Sequence, residues 1–363
     1  MKIVVTGTRG YPNVIGGVET HCEEVFSRLA SRGYDITVFR RKGYCHDGLK
    51  RYKGVKFYNL SHPKSKTLEA FVHTFKAVLI AKFKLHADVV HLHAIGPSLM
   101  CPLARLLGMK VIVTHHGPDY DRDKWGIIAK TVLRIGEWSA TRFANEMVVI
   151  SNVIYYHIAK TFKRNDMHLI YNGVPHAQKM TETAYLEQLG IEPYKYVFAM
   201  GRFVPEKQFH LLIDAWKQTP HEGFRLVIAG DCNIPDSYSK KLKQMAAEND
   251  VILTGFIKGD PLYTLLSFAH TFVLPSTHEG HPIALLEAMS YGLPVIVSSI
   301  PANEEIRLKA SCYFPVGSTP ALVERLTEYL KKRPGYRIRY DMSAYNWDNI
   351  TRQLEKVYKN FKG

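Results

Sequence analysis

The chain alternates. Short apolar runs end in glycine-marked loops, the loops lead into stretches of helical period, and the cycle recurs along the whole sequence. Lys2-Ile-Val-Val-Thr6 predicts a buried strand. The loop from Gly7 to Gly17 follows it, and Val18–Arg32 then brings Val18, Cys22, Val25, Phe26 and Leu29 onto one helical face. Gly33 stands where a helix C′ glycine is expected. Further strands are expected over Tyr34–Arg40, Val55–Leu60, Val89–His93, Lys110–His115 and Glu146–Ile150. Strand, helix, strand in this order implies a parallel sheet with right-handed crossovers.

The second half repeats the arrangement. Strands are expected at Tyr196–Met200, Phe224–Ala229, Val251–Thr254, Thr271–Leu274 and Pro294–Ser298, with helices near Gln208–Lys217, Tyr238–Asn249, Pro261–Ala269 and Pro282–Tyr291. With 363 residues, 46% of them hydrophobic, the chain can build two cores. The fold class expected is therefore α/β, with two Rossmann-like doubly wound domains facing across a cleft. They join near Asn172-Gly-Val-Pro175, giving a first domain over 1–174 and a second over 175–345. Ligands of open parallel sheets bind beyond the carboxyl ends of the strands. The loops just after strands are the ones to inspect.

Composition excludes several classes. The five cysteines, Cys22, Cys45, Cys101, Cys232 and Cys312, form no CxxC pair, which argues against a zinc ribbon or a disulfide framework and fits a reducing cytosol. Met1–Val5 runs straight into a strand pattern, so no secretory leader is expected. No apolar run of about 18 residues predicts a membrane span. The net charge of +15 is lopsided. Residues 1–175 hold 26 Lys/Arg against 13 Asp/Glu, and the rest hold 22 against 20. The excess calls for an anionic partner such as a membrane surface or a phosphorylated substrate, or else makes a basic, soluble surface. Nucleic acid is not expected, because no reading motif and no face of interleaved aromatic and basic residues accompanies the charge.

Four loops could carry chemistry. In the first, Gly16-Gly17 precedes a helix, which allows close approach of a ligand to free N–H groups, or serves only a tight turn. The second, after Lys110–His115, contains His115, His116 and the run Asp119, Asp121, Asp123. It lacks the Gly and Glu of a calcium loop and interleaves Arg122 and Lys124, so a plain polar loop is the stronger reading. The third, Gly201-Arg-Phe-Val-Pro-Glu-Lys207, offers Arg202 and Lys207 to a diphosphate, or a salt bridge to Glu206. The fourth, Ser276 to Gly292, is the most specific. Gly280 and His281 lie before Pro282, which suits the first position of a helix whose amide end stabilises an anion. Glu279 and Glu287 are eight residues apart. That is roughly 12 Å along a continuous helix, against about 5–9.5 Å for paired glycosidase carboxylates. They suit two grips on one extended ligand better than an acid/base couple.

These motifs resemble those of the retaining GT-B glycosyltransferases of family 4, the type found in bacterial surface-polysaccharide assembly. Glu279-Gly-His-Pro-Ile-Ala-Leu-Leu-Glu287-Ala-Met-Ser-Tyr-Gly-Leu-Pro-Val is similar to that family's E-x7-E signature, Gly201-Arg-x-x-Pro-Glu-Lys207 to its GR-x-x-PEK element, and Gly16-Gly17 to its amino-terminal glycine pair. The resemblance implies that Arg202 and Lys207 neutralise the diphosphate, Glu287 binds the ribose and Glu279 meets the sugar. It further implies that Gly280, His281, Pro282 and Ile283 line the donor, that Gly16 and Gly17 approach the diphosphate, and that His116 places the sugar. Glu279, Lys207, Arg202 and His116 are the catalytic candidates. Two departures stand out: His281 replaces a common Phe, and Gln208 replaces the usual Gly. The resemblance also implies that the last helix, within 346–363, crosses back onto the first domain.

The function so implied is transfer of a hexose, with retention, from a nucleoside-diphosphate sugar, UDP-linked by expectation, to a saccharide. No metal and no other cofactor is expected, since Arg, Lys and a helix end serve the diphosphate. Residues 62–86 mix Lys64, Lys66, Lys76, Lys82 and Lys84 with Leu68, Phe71, Val72, Phe75, Val78, Leu79 and Phe83. This is a basic amphipathic segment, suited to an anionic bilayer or, equally, to a core with its lysines in water. With the membrane reading the acceptor is a polyprenyl-diphosphate-linked saccharide of O-antigen or capsule assembly, extended from the cytoplasmic side. A nucleotide-sugar epimerase of the same fold is the alternative, and a non-catalytic nucleic-acid-binding protein a remoter one.

Overall fold

The computed structural model of the protein describes residues 1–63, 68–121, 126–232 and 234–361. The chain falls into two compact units. One comprises Met1–Asn172 with the segment from Trp347, the other Gly173–Asn346.

The first unit is built on an eight-stranded sheet of order β3-β4-β2-β1-β5-β6-β7-β8. Its strands are β1 (Lys2–Thr6), β2 (Asp35–Arg41), β3 (Arg51–Tyr52), β4 (Val55–Leu60), β5 (Val89–His93), β6 (Lys110–His115), β7 (Glu146–Val149) and β8 (Met167–Leu169). The two-residue β3 pairs antiparallel with β4, and the other pairings are parallel. The helices are α1 (Gly17–Ser31), α2 (Leu68–Phe83), α3 (Cys101–Leu106), α4 (Ile127–Phe143) and α5 (Asn152–Phe162). Alternation along the strands sorts side chains to two faces. Val4, Val90, Leu92, Val111 and Val113 pack under α2, α3, α4 and α5. Ile3, Val5, Ile36, Val38, Val89 and Ile112 face α1 and the last helix. Each such buried aliphatic side chain contributes about 1.5–3 kcal/mol.

The last helix, Trp347–Lys359, belongs to this unit. Trp347, Ile350, Leu354, Val357 and Tyr358 recur at helical spacing and are all buried, in one cluster with Cys22, Val25, Phe26 and Leu29 of α1. Arg28 pairs with Asp348 at 3.1 Å and Arg32 with Glu355 at 3.1 Å on the rim of that contact.

The second unit carries a wholly parallel six-stranded sheet of order β11-β10-β9-β12-β13-β14. Its strands are β9 (Tyr196–Met200), β10 (Arg225–Ala229), β11 (Ile252–Gly255), β12 (Thr271–Leu274), β13 (Val295–Ser298) and β14 (Tyr313–Phe314). The helices are α6 (Ala184–Gln188), α7 (Phe209–Gln218), α8 (Ser237–Glu248), α9 (Asp260–Phe268), α10 (Ile283–Ser290), α11 (Pro301–Glu304) and α12 (Thr319–Leu330), which makes Trp347–Lys359 α13. Tyr196, Phe198, Phe272 and Leu274 pack with α9 and α10 on one face. Val197, Ala199, Val273 and Ile296 pack with α7, α8 and α12 on the other. Both sheets are thus covered on both faces, as near-continuous apolar strands require. No helix among the described residues is long and apolar enough to cross a membrane.

Candidate active site

In the second unit β9 and β12 are neighbours and run parallel, so their carboxyl ends open on one edge of the sheet. The loop after β9 carries Arg202 and Lys207, and the loop after β12 carries Glu279. A backbone bond from Thr277 N to Glu206 O, 2.9 Å, ties the two loops together. Lys207 does not turn to Glu206. Its Nζ lies 2.5 Å from Glu279 Oε1, which also accepts from Ser276 Oγ at 2.7 Å. Burial alone pushes the Glu279 carboxyl up, but the Lys207 charge, its hydrogen bond and that of Ser276 outweigh burial and hold it below the ordinary range. Glu279 is an anion at neutral pH, gripped on one oxygen.

Arg202 is half-buried on the same loop, in which Phe203 N bonds to Asp231 O at 3.0 Å. Behind the loop Gly230 has φ +131, and a Cβ on it would stand 1.9 Å from Gly201 O. Only glycine lets the two loops pass that closely.

α10 begins at Ile283, so Pro282 sits one residue ahead of the first position, at the N-cap. Its carbonyl accepts from Leu285 N at 3.0 Å and Leu286 N at 3.1 Å. Gly280 and His281 therefore lead into the amide end of an eight-residue helix, and Glu287 lies half-buried in its second turn. Glu279 precedes the helix, so the two glutamates occupy different elements.

In the first unit β1, β5 and β6 are neighbours, and their carboxyl ends bring three loops together. Gly7, φ +101, packs so near His93 that a Cβ would meet His93 O at 2.2 Å. Gly16 is the N-cap of α1, and Gly17 its first residue. Glu19, buried in the first turn, accepts from Arg9 N at 3.0 Å and Thr8 Oγ1 at 3.3 Å, folding the loop back on the helix. His116 is half-buried just beyond β6, with Nε2 2.9 Å from His93 Nδ1. Burial lowers its pKa well below the usual value, aided by the neighbouring imidazoles, so the ring is neutral. His115 points elsewhere: Nε2 meets Glu137 Oε1 at 2.7 Å, and Tyr120 donates to Glu137 Oε2 at 2.9 Å. Asp119 and Asp121 lie in a short turn, while Asp123, like Lys64 and Lys66, falls outside the described residues.

Two family models divide the sequence between them. That of glycosyltransferase family 4 matches residues 15–178, and that of glycosyl transferases group 1 matches residues 182–347. The chain is a GT-B glycosyltransferase of the family 4 type. It is 24% identical to an uncharacterized glycosyltransferase, MJ1607, of Methanocaldococcus jannaschii, over 99% of this chain and 98% of that protein. It is 28% identical to the UDP-Gal:alpha-D-GlcNAc-diphosphoundecaprenol alpha-1,3-galactosyltransferase of Escherichia coli, over 80% of this chain and 78% of that one. Its fold is similar to that of HepE from Anabaena, solved with UDP and glucose, at TM-score 0.78 and 18% identity over 99% of both chains.

Geometry explains both departures of this glycosyltransferase from its family's pattern. Gln208 has φ 52 and ψ 33, the left-handed region that glycine enters freely, so the usual Gly is a backbone requirement that Gln meets under strain. His281 is buried, its ring tilted on Tyr345 with centroids 5.6 Å apart, and burial lowers its pKa to about 3. It fills this buried position beside Tyr345 as a neutral ring.

No local motif marks Gly7, Gly230, His21 or His93 as a site residue. The two glycines do carry a signal, since each follows directly on an apolar strand. The histidines carry none, because only the sheet brings them together.

Proposed function

We propose that the glycosyltransferase moves a hexose from a UDP-sugar to a polyprenyl-diphosphate-linked saccharide, with retention and without a metal on the diphosphate, in surface-polysaccharide assembly. The observation that carries the donor half is the Lys207–Glu279 pair at the joined ends of β9 and β12. It puts a fixed cation and a fixed anion side by side, for phosphate and for sugar hydroxyls respectively. Arg202 adds a second cation, the amide end of α10 a partial charge, and Glu287 a grip on the ribose. Gly16, Gly17 and His116 serve the sugar and diphosphate from the first unit.

In this reading the acceptor oxygen attacks the anomeric carbon on the face that the diphosphate leaves. The bond from that carbon to the phosphate oxygen breaks, and the acceptor proton passes to the leaving diphosphate. The protein's part is to position the reactants and to stabilise the departing charge.

The acceptor half rests on a surface. α2 turns Leu68, Phe71, Phe75 and Phe83 outward and buries Ala77, Val78 and Ala81. α4, in the same layer, exposes Ile127, Ile128, Ile135 and Trp138, the last two between the exposed Arg134 and Arg142. The carboxylates of these two helices, Glu69 and Glu137, are both buried. Exposed apolar residues interspersed with cations, on two helices with no exposed carboxylate, suit an anionic bilayer, where a lipid-linked acceptor resides. The E. coli relative is named for a diphosphoundecaprenol acceptor.

The test is transfer from a panel of UDP-hexoses to a polyprenyl-diphosphate saccharide, with the product anomer read by NMR and EDTA present in a parallel series. Inversion at the anomeric carbon removes retention. Loss of turnover in EDTA that Mg2+ restores removes the metal-free reading of the diphosphate. If no nucleoside diphosphate raises the melting temperature, the donor assignment falls.

A further inference from the structure

Three imidazoles from three elements meet at the carboxyl edge of the first sheet. His21 comes from the second turn of α1, His93 ends β5, and His116 follows β6. The ring centroids of His21 and His116 are 5.1 Å apart, those of His93 and His116 5.2 Å, and those of His21 and His93 5.6 Å. One ring nitrogen of each lies within 4.8 Å of those of the other two. Zinc–imidazole bonds of about 2.0–2.1 Å put the rings around a tetrahedral ion roughly 5 Å apart, centroid to centroid. The triangle already has nearly that size.

The nitrogens themselves point to a missing partner. His21 Nδ1 is 2.9 Å from Asn172 Oδ1, where it donates, so the lone pair falls on Nε2. His21 Nε2 is buried and without a hydrogen-bond partner, and so is His93 Nε2. Buried ring nitrogens left unsatisfied are rare and costly. The Asn172 contact is also the kind of outer-shell bond that orients a ligating histidine. Phe26 packs edge-on against His93, and Trp347 against His21, giving the cluster an apolar wall. Half-buried His116 marks its open side.

We propose that His21, His93 and His116 form a binding site for a zinc-class divalent ion, with three imidazole ligands and a fourth position for water. The donor set selects the ion. Imidazole suits Zn2+, Co2+ and Ni2+, whereas Mg2+ and Ca2+ need oxygen ligands that the cluster lacks. The three imidazoles belong to the first unit, and the cations of the proposed diphosphate site, Arg202 and Lys207, to the second. The ion site touches the proposed function at His116 alone, and a bound ion takes the place of the hydrogen bond between His116 Nε2 and His93 Nδ1.

The test titrates Co2+ into the full-length, untagged protein and reads the visible absorption of tetrahedral Co2+, with no enzyme assay involved. One equivalent should bind, Zn2+ should displace it, and millimolar Mg2+ should not. His21→Gln and His116→Gln should each weaken Co2+ binding at least tenfold. His116→Gln, at a half-buried position, keeps the test open should the buried substitution unfold the chain, and the melting temperature of each variant reports that. Absence of tetrahedral bands in the wild type overturns the site, and so does unchanged affinity in a folded His116→Gln. Because donor binding is read separately by nucleotide thermal shift, either proposal can fail without the other.

Discussion

Glu279 Oε1 lies 2.5 Å from Lys207 Nζ, across 72 residues of sequence, and both side chains are largely withdrawn from water at 11% and 15% exposure. Lys207→Ala leaves that carboxylate without its cation. The substitution is expected to lower stability by about 2 kcal/mol, less than a fully buried pair because some exposure remains, and to cut turnover at least a hundredfold. The folded Glu279 carboxyl titrates below its ordinary range. Its contribution is therefore present above the unfolded value and lost as pH falls through the folded one. Urea denaturation of wild type and Glu279→Gln at neutral pH and in acid checks this: the gap between them should close in acid.

Glu137 presents the same sign more strongly. Burial raises its carboxyl, but hydrogen bonds from His115 and His157 overcome that and hold it at about 2, against 4.5 for the free group. Its contribution to stability is present above pH 4.5 and fades as pH falls toward 2. His157 moves the other way, raised above 6.5 chiefly by its hydrogen bond to Glu137. Its share is full below pH 6.5 and is lost as pH rises through its folded value. Glu137→Gln should therefore cost more stability at pH 5.5 than at pH 8.5, measured by chemical denaturation at both.

Gln208 and Gly230 give opposite expectations for glycine. Gln208→Gly relieves a left-handed residue and should stabilise the protein by up to about 1 kcal/mol. Gly230→Ala puts a methyl group 1.9 Å from Gly201 O. It should cost at least about 2 kcal/mol and weaken nucleoside-diphosphate binding, because the loop bearing Arg202 must move. Thermal melts with and without UDP separate the two effects.

The outward faces of α2 and α4 should matter to lipid and not to fold. Phe71→Ser with Phe75→Ser, or Ile128→Ser with Trp138→Ser, should reduce co-sedimentation with anionic liposomes at least fivefold at unchanged melting temperature. Neutral liposomes should bind less than anionic ones. Equal binding to both would remove the electrostatic part of the membrane reading.

The alternation of apolar runs and glycine loops made the strands of both sheets legible, since buried parallel strands are near-continuous apolar runs. Short edge strands were not: β8 and β14 contain His168 and Tyr313 and lack that signature. The donor motifs were legible because each is local, with the chemistry packed into a few consecutive residues. Lys207 was expected at a diphosphate or beside Glu206, and its pairing with Glu279 needed the β9–β12 adjacency, which no local pattern encodes. The same limit hid the histidine cluster. His21 and His116 are 95 positions apart, and only sheet order makes them neighbours. Sequence left two roles open for the apolar face of α2, and the observed outward stripe follows from which residues the sheet had room to cover.

α13 completes the core beneath α1, with Trp347 and Tyr358 at 1% and 0% exposure. On the ribosome the N-terminal 172 residues emerge first, yet they lack the helix that covers Cys22, Val25 and Phe26 until the last stretch has been made. Gly173–Asn346 has its whole sheet in hand earlier. The apolar flank of the first unit is thus closed by residues translated after those of the second.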